Sequence, residues 1–218
     1  MHGLGNDFIV IDNMNGKISL SKEQIISLCD RHIGIGADGV ILIESSDKAD
    51  CFMNYYNSDG TIAEMCGNGV RCVAQFLKDN VSKNKTEFKI DTRGGLKEII
   101  YQDNGTFSVN MGKPAFIHSD FPEKGLELEG FDFNFVSVGN PHAIAFVKDL
   151  DSCDLPTLGP KIENNKIFPN KINIEFVEEI HSNEFKVKVW ERGCGVTLAC
   201  GTGACAVYAV AQKGKNIN

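Results

Sequence analysis

One pattern occurs twice in this chain, 134 residues apart. Cys66-Gly-Asn-Gly69 is answered by Cys200-Gly-Thr-Gly203, and Gly5-Asn6 by Gly139-Asn140. A large aromatic stands ten residues before each cysteine, Tyr56 in one copy and Trp190 in the other. With 22 glycines in 218 residues, a lone Cys-Gly-x-Gly pair would mean little. Three features in one register across most of the chain mean duplication. The chain is therefore expected to build one unit twice, over residues 1–112 and 113–218, with the seam near Gly112-Lys-Pro114.

The local patterns agree with two copies. Phe8-Ile-Val-Ile11 and Ala143-Ile-Ala-Phe-Val147 are short apolar runs after the two Gly-Asn pairs and read as strands. Cys51–Tyr56 and Phe185–Trp190 read as strands as well. Each leads through a loop, Asn57-Ser-Asp-Gly60 or Glu191-Arg-Gly-Cys-Gly195, into the Cys-Gly-x-Gly element. Beyond it, Val70, Val73, Ala74 and Leu77 fall on one helical face, whereas Ala204–Ala211 is apolar nearly all round, as in a helix enclosed by protein. Ser21-Lys-Glu-Gln24 has the form of a capping box ahead of Ile25, Leu28 and Cys29. The expected class is α+β: two pseudo-symmetric halves, each a curved, barrel-like mixed β-sheet around a central helix whose start carries a cysteine.

Composition narrows the partners. A net charge of −7 without basic clusters argues against nucleic acid or an anionic membrane as partner. No apolar run approaches the roughly 18 residues of a membrane span. The start, Met1-His-Gly-Leu-Gly-Asn-Asp7, lacks the form of a signal peptide, so a cytoplasmic protein is expected. The eight cysteines have neither the spacing of a zinc site nor the context of a disulfide scaffold. Cys29, Cys51, Cys72, Cys153 and Cys205 read as small buried hydrophobes, and Cys194 as a loop residue without assigned chemistry. His2, His32, His118 and His181 have no supporting constellation; Asp12, Asp59 and Glu64 read as solvated or capping.

Cys66 and Cys200 read differently. A helix N-terminus favours the thiolate, the form that acts as base or nucleophile. Flanking glycines let a carboxylate approach the backbone N–H groups there. One such site suggests a nucleophilic enzyme; two, on duplicated halves, suggest a thiolate and a thiol on opposite faces of one carbon. That arrangement removes a proton and returns it from behind. The hydrogen beside a carboxylate is very weakly acidic, so two helix N-termini on that carboxylate would stabilise the charge that develops. The two sulfurs would titrate as a pair.

Several longer motifs carry a resemblance. They are His2-Gly-Leu-Gly-Asn-Asp-Phe8, Arg31-His-Ile-Gly-Ile-Gly-Ala-Asp38, Asn57-Ser-Asp-Gly60 and Met65-Cys-Gly-Asn-Gly-Val-Arg-Cys72. Gly139-Asn-Pro-His142, Trp190-Glu-Arg-Gly193 and Ala199-Cys-Gly-Thr-Gly-Ala-Cys205 complete the set. In this order along nearly the whole chain, they resemble the diaminopimelate epimerases. The resemblance implies a PLP-independent isomerase, without cofactor or metal, that interconverts LL- and meso-diaminopimelate for lysine and peptidoglycan biosynthesis. Cys66 and Cys200 would be its acid/base pair.

Carried over position by position, it implies substrate contacts from Asn6, Asn57, Asn68, Asn140 and Asn173, whose neutral amides meet both ammonium and carboxylate. Arg192 would grip the distal carboxylate and Glu191 an ammonium group. Gly67-Asn68 and Gly201-Thr202 would present backbone donors, and His142 would orient a cysteine or its neighbours. The implied partner is a small zwitterion, with a homodimer as the candidate assembly. A proline or hydroxyproline racemase, or a thiol redox protein using the same cysteines, are the alternatives. The chain departs from the family at Gly39, where many members have Gln. It is also short at both ends, the family adding a strand before Met1 and further strands after Lys215-Asn-Ile-Asn218. An open sheet edge and an under-covered helix are expected from that shortness.

Overall fold

The computed structural model describes residues 1–119, 121–122, 125–182 and 184–213; the expected strands beyond Lys215–Asn218 lie outside these. The chain divides into two compact units, Met1–Met111 and Gly112–Asn218, each with a curled sheet of its own. The first unit runs β1 (His2–Gly3), β2 (Asn6–Asn13), α1 (Lys22–Cys29), β3 (Gly39–Glu44), β4 (Cys51–Asn57), α2 (Gly67–Asn80), β5 (Glu87–Asp91), β6 (Lys97–Tyr101) and β7 (Phe107–Asn110). Its seven strands lie in sequence order. The second runs β8 (Leu126–Leu128), β9 (Phe131–Ser137), β10 (Pro141–Phe146), α3 (Leu155–Glu163), β11 (Asn173–His181), β12 (Glu184–Glu191), β13 (Gly195–Thr197) and α4 (Gly201–Gln212). Its six-stranded sheet also follows sequence order.

Both sheets are mixed, and for the same reason. A helix bridges β2 to a parallel β3, and another bridges β10 to a parallel β11, while β4 and β12 return antiparallel. The duplication extends to the hydrogen-bond register. Phe8 faces Gly39 across β2 and β3, and His142 faces Asn173 across β10 and β11; Val40 faces Tyr56, and Ile174 faces Trp190. Each second pair is the first shifted by 134.

The central strands are covered on both faces, which is why they read as nearly continuous apolar runs. Along β3, Ile41 and Ile43 pack against Val70, Val73, Ala74 and Leu77 of α2. Val40 and Leu42 point the other way, onto Ile25 and Cys29 of α1. In β11, Ile174 and Phe176 pack with Leu155 and Ile162 of α3, and Val177 with Ala206, Val207 and Val210 of α4. The helical face expected for α2 is the buried one. At Ser21 both capping bonds form, Gln24 N–H to Ser21 Oγ (3.3 Å) and Ser21 N–H to Gln24 Oε1 (2.8 Å).

Two expectations fail here. The α4 helix is not enclosed all round: Ala204 is exposed and Tyr208 is 55% exposed, because the sheet of this unit covers only the side bearing Ala206, Val207 and Val210. Cys205, on the flank between, is half-buried rather than buried, whereas Cys29, Cys51, Cys72 and Cys153 are buried and Cys194 is exposed. Among the described residues no helix is long and apolar enough to cross a membrane.

Candidate active site

Both cysteines are N-caps, one residue ahead of their helices. Cys66 and Cys200 have extended backbones (φ −139° and −119°), and each sulfur accepts from the glycine three residues on, Gly69 N–H at 3.4 Å and Gly203 N–H at 3.3 Å. This is the geometry of a serine cap with sulfur in the oxygen's place. The first intrahelical bonds start at Val70 N–H (to Cys66 O, 2.9 Å) and Ala204 N–H (to Cys200 O, 3.0 Å). The N–H groups of Gly67 and Asn68, and of Gly201 and Thr202, therefore precede the helical ladder, where an anion binds best. Upstream, Gly5 (φ +87°) and Gly139 (φ +103°) occupy the left-handed region, which explains why each Asn of the repeated pair follows a glycine.

In the first unit Asn6 lies beside Cys66. Asn6 Oδ1 accepts from Cys66 Sγ (3.6 Å) and from Asn68 Nδ2 (3.3 Å), and Asn6 Nδ2 donates to Asp38 Oδ2 (2.8 Å). Asp38 is held in turn by Arg31, which bridges it to Asp7 at 2.8 and 2.7 Å. The Arg31 guanidinium holds the Asp7 carboxyl below the usual carboxylate range. Arg71 grips the helix start from below, donating to Gly67 O (3.0 Å) and Asn68 Oδ1 (2.5 Å). Asn57 ends β4, where its Nδ2 donates to Thr61 Oγ1 (3.0 Å) and shapes the loop. At Gly39 a Cβ would meet Tyr56 O at 2.5 Å, so a larger residue here would require the neighbouring strand to shift.

The second unit assembles a longer network around Cys200. Cys200 Sγ is 3.2 Å from Thr202 Oγ1, which accepts from Asn140 Nδ2 at 3.2 Å. Asn140 Oδ1 faces His142 Nε2 (3.0 Å), and His142 Nδ1 faces Glu175 Oε1 (2.7 Å). Asn173 ties two backbones together, donating to Pro141 O (2.8 Å) and accepting from Arg192 N–H (2.9 Å). That bond fixes where Arg192 leaves the chain, and its guanidinium reaches Asn170 O at 3.3 Å. Glu191 accepts from the Thr197 hydroxyl at 2.6 Å. Glu163 steadies the loop below, accepting from Trp190 Nε1 (2.9 Å) and Gly193 N–H (2.8 Å).

Charge at Cys200 runs against the expectation of a lowered thiol pKa. Burial pushes this thiol up, the Glu191 and Glu175 carboxyl groups add to the rise, and the Thr202 hydroxyl and Gly203 N–H oppose it less strongly. The helix start contributes as expected but is outweighed by desolvation. Burial likewise raises Glu191, against the Thr197 and Cys200 hydrogen bonds. A thiol raised in this way is suited to give a proton.

Several members of these networks carried no assigned role in the sequence reading: Asp38, Arg31 and Arg71 in the first unit, Glu163, Glu175 and Thr197 in the second. For Glu175 the signal was a single charge within the apolar stretch Ile172–Val177; for Asp38 and Arg71 it was their place inside long motifs. Among the described residues no group of three or more His, Cys, Asp or Glu side chains could hold a metal ion.

Comparison with known proteins places the chain in a family. The profile of the family described as diaminopimelate epimerase matches residues 1–117 and 134–218. A diaminopimelate epimerase of Trichodesmium erythraeum is 46% identical over 94% of this chain and 79% of its own length. One from Methanococcus maripaludis is 44% identical over 95% of this chain and 80% of its own. Among solved structures, a hydroxyproline epimerase from Agrobacterium vitis superposes with a TM-score of 0.69 at 17% identity, covering 100% of this chain and 76% of its own. A PhzF-family phenazine biosynthesis protein of Bacillus anthracis reaches 0.67 at 20% identity, covering 100% and 79%. These two share the fold. The chain belongs to the diaminopimelate epimerase family.

Proposed function

We propose that this protein interconverts LL- and meso-2,6-diaminopimelate by two-base proton transfer, for lysine and peptidoglycan synthesis, with Cys66 and Cys200 on opposite faces of the reacting carbon. The observation that carries this reading is the repeated sulfur N-cap: two units of one strand register each set a thiol at a helix start behind a Gly-Asn turn. With Cys200 resting as a thiol, Cys66 acts first as the base. Its thiolate takes the α-proton, the electron pair passes into the carboxylate, and Cys200 returns its own proton from the other side. The reverse turnover exchanges the two roles. Peptide N–H groups of Gly67, Asn68, Gly201 and Thr202 stabilise the charge that develops on the carboxylate.

Asn6, Asn68 and Asn140 are the asparagines closest to this chemistry, since each lies within the hydrogen-bond network of a cysteine. Asn57 and Asn173 serve the substrate while also holding loop and backbone. Arg192 binds the distal carboxylate as a paired donor, and Glu191 the distal ammonium, which selects a long, doubly zwitterionic substrate. A stereoinversion assay on LL-diaminopimelate and on L-proline tests the reading. Turnover of the first alone is expected; turnover of proline alone contradicts it.

A further inference from the structure

The second unit departs from the first at two buried positions whose backbone places are the same. Phe8 and Ile41, 3% and 0% exposed, correspond at 134 residues to His142 and Glu175, both 0% exposed. An apolar pair satisfies the fold at these places in one copy, so the fold alone does not call for a polar pair in the other. Replacing buried ion-capable pairs by apolar residues is commonly neutral or stabilising, which sharpens the question of what this pair does.

Its hydrogen bonds run in one direction. Asn140 donates through Nδ2 to Thr202 Oγ1, so its Oδ1 must receive from His142 Nε2. Nε2 therefore carries a hydrogen. Nδ1 and Glu175 Oε1 then lie 2.7 Å apart, a distance two lone pairs do not tolerate without a second hydrogen between them. One hydrogen therefore lies between Nδ1 and Oε1, shared by the two side chains. Glu175 Oε2 is buried with no hydrogen-bond partner among the described residues, and a Cβ on Gly203 would lie 2.6 Å from Oε1. The start of α4 rests on this carboxyl group.

We propose that Glu175 is a positioning residue for Cys200: the proton it shares with His142 fixes the direction of the His142–Asn140–Thr202 chain, leaving the Thr202 hydroxyl to donate to the Cys200 sulfur. The proposal rests on Cys200 being an acid/base group. Without the shared proton, the imidazole is free to carry its hydrogen on Nδ1, and Nε2 then repels Asn140 Oδ1. The amide turns over, Thr202 donates to it instead, and the sulfur loses its donor.

Three variants and one spectrum test this. Glu175→Gln can still donate to Nδ1 and should keep kcat within about threefold of wild type. Glu175→Ile should lower kcat about tenfold or more. The double variant His142→Phe, Glu175→Ile, which copies the first unit, should melt no lower than wild type yet lose as much activity. Ring 15N shifts of His142 should show hydrogen on Nε2 in wild type and in Glu175→Gln. The proposal is overturned if either Ile-bearing protein keeps wild-type kcat, if Gln fails as badly as Ile, or if wild-type His142 is the Nδ1–H tautomer. The spectrum needs no substrate, so it decides the matter even if the protein leaves diaminopimelate unchanged, a result that would count against the epimerase reading alone.

Discussion

The Cβ that Gly203 lacks would sit 2.6 Å from Glu175 Oε1 and 3.2 Å from Cys200 Cβ, both parts of one hydrogen-bonded network. At Gly69 the nearest atoms are Met53 Cε at 2.9 Å and Ile41 Cδ1 at 3.1 Å, the ends of side chains that can turn aside. Gly203→Ala should therefore lower both the melting temperature and kcat further than Gly69→Ala; equal effects would show that the network yields as easily as the apolar contact. The raised Cys200 thiol makes a prediction about pH. A thiol held above its ordinary value stays protonated at neutral pH, so iodoacetamide should modify Cys200 slowly near pH 7 and faster as pH rises. Glu191→Gln removes a carboxyl group that pushes this thiol up, and each unit by which the thiol falls raises the thiolate about tenfold. Labelling at pH 7, followed by peptide mass spectrometry, should be faster in that variant; unchanged labelling would mean that the Glu191 charge has no part in the rise. Arg192→Ala should raise KM and lower kcat, because binding energy remote from the reacting carbon also places it. Unchanged steady-state constants would remove Arg192 from the distal carboxylate.

Among the elements, α2 depends most on its buried face. Leu77→Ala leaves a cavity against Phe88, Ile90 and Ile99 and should cost about 2–5 kcal/mol in urea unfolding. The cap of α1 is exposed, and Ser21→Ala should cost only about 1 kcal/mol. These two helices were legible in the sequence because their signals are local: four apolar residues at helical spacing, and Ser and Gln three apart. The α4 helix was less so. Its residues are nearly all small or apolar, so periodicity could not say which side meets the sheet, and Ala204 and Tyr208 face outward. Strand β11 hid the most informative residue. An apolar run shows that a strand is covered on both faces, but not that a charge within it sits under a helix start, since this depends on a neighbouring strand and a helix 26 residues or more further on.

Over the whole molecule, duplication was the strongest sequence signal, and it pointed to both helix starts. It also marked where the copies differ. Phe8 and Ile41 against His142 and Glu175 became meaningful only once the register showed that they fill the same places. Side-chain direction was the part hidden from sequence: the asparagines were identifiable, but which of them reaches a sulfur and which braces a loop depends on contacts across strands. The chain spans 79–83% of the length of several curated relatives, and the motifs bearing both cysteines lie within that span.

Early turnover of LL-diaminopimelate in D2O tests the pairing of the two thiols most directly. Two monoprotic bases on opposite faces should place deuterium at the inverted carbon of the meso product while unreacted LL substrate keeps its protium, read by 1H NMR below about a tenth of conversion. Deuterium appearing equally fast in recovered LL substrate and in product would mean that one base serves both faces, and would contradict the division of labour between Cys66 and Cys200.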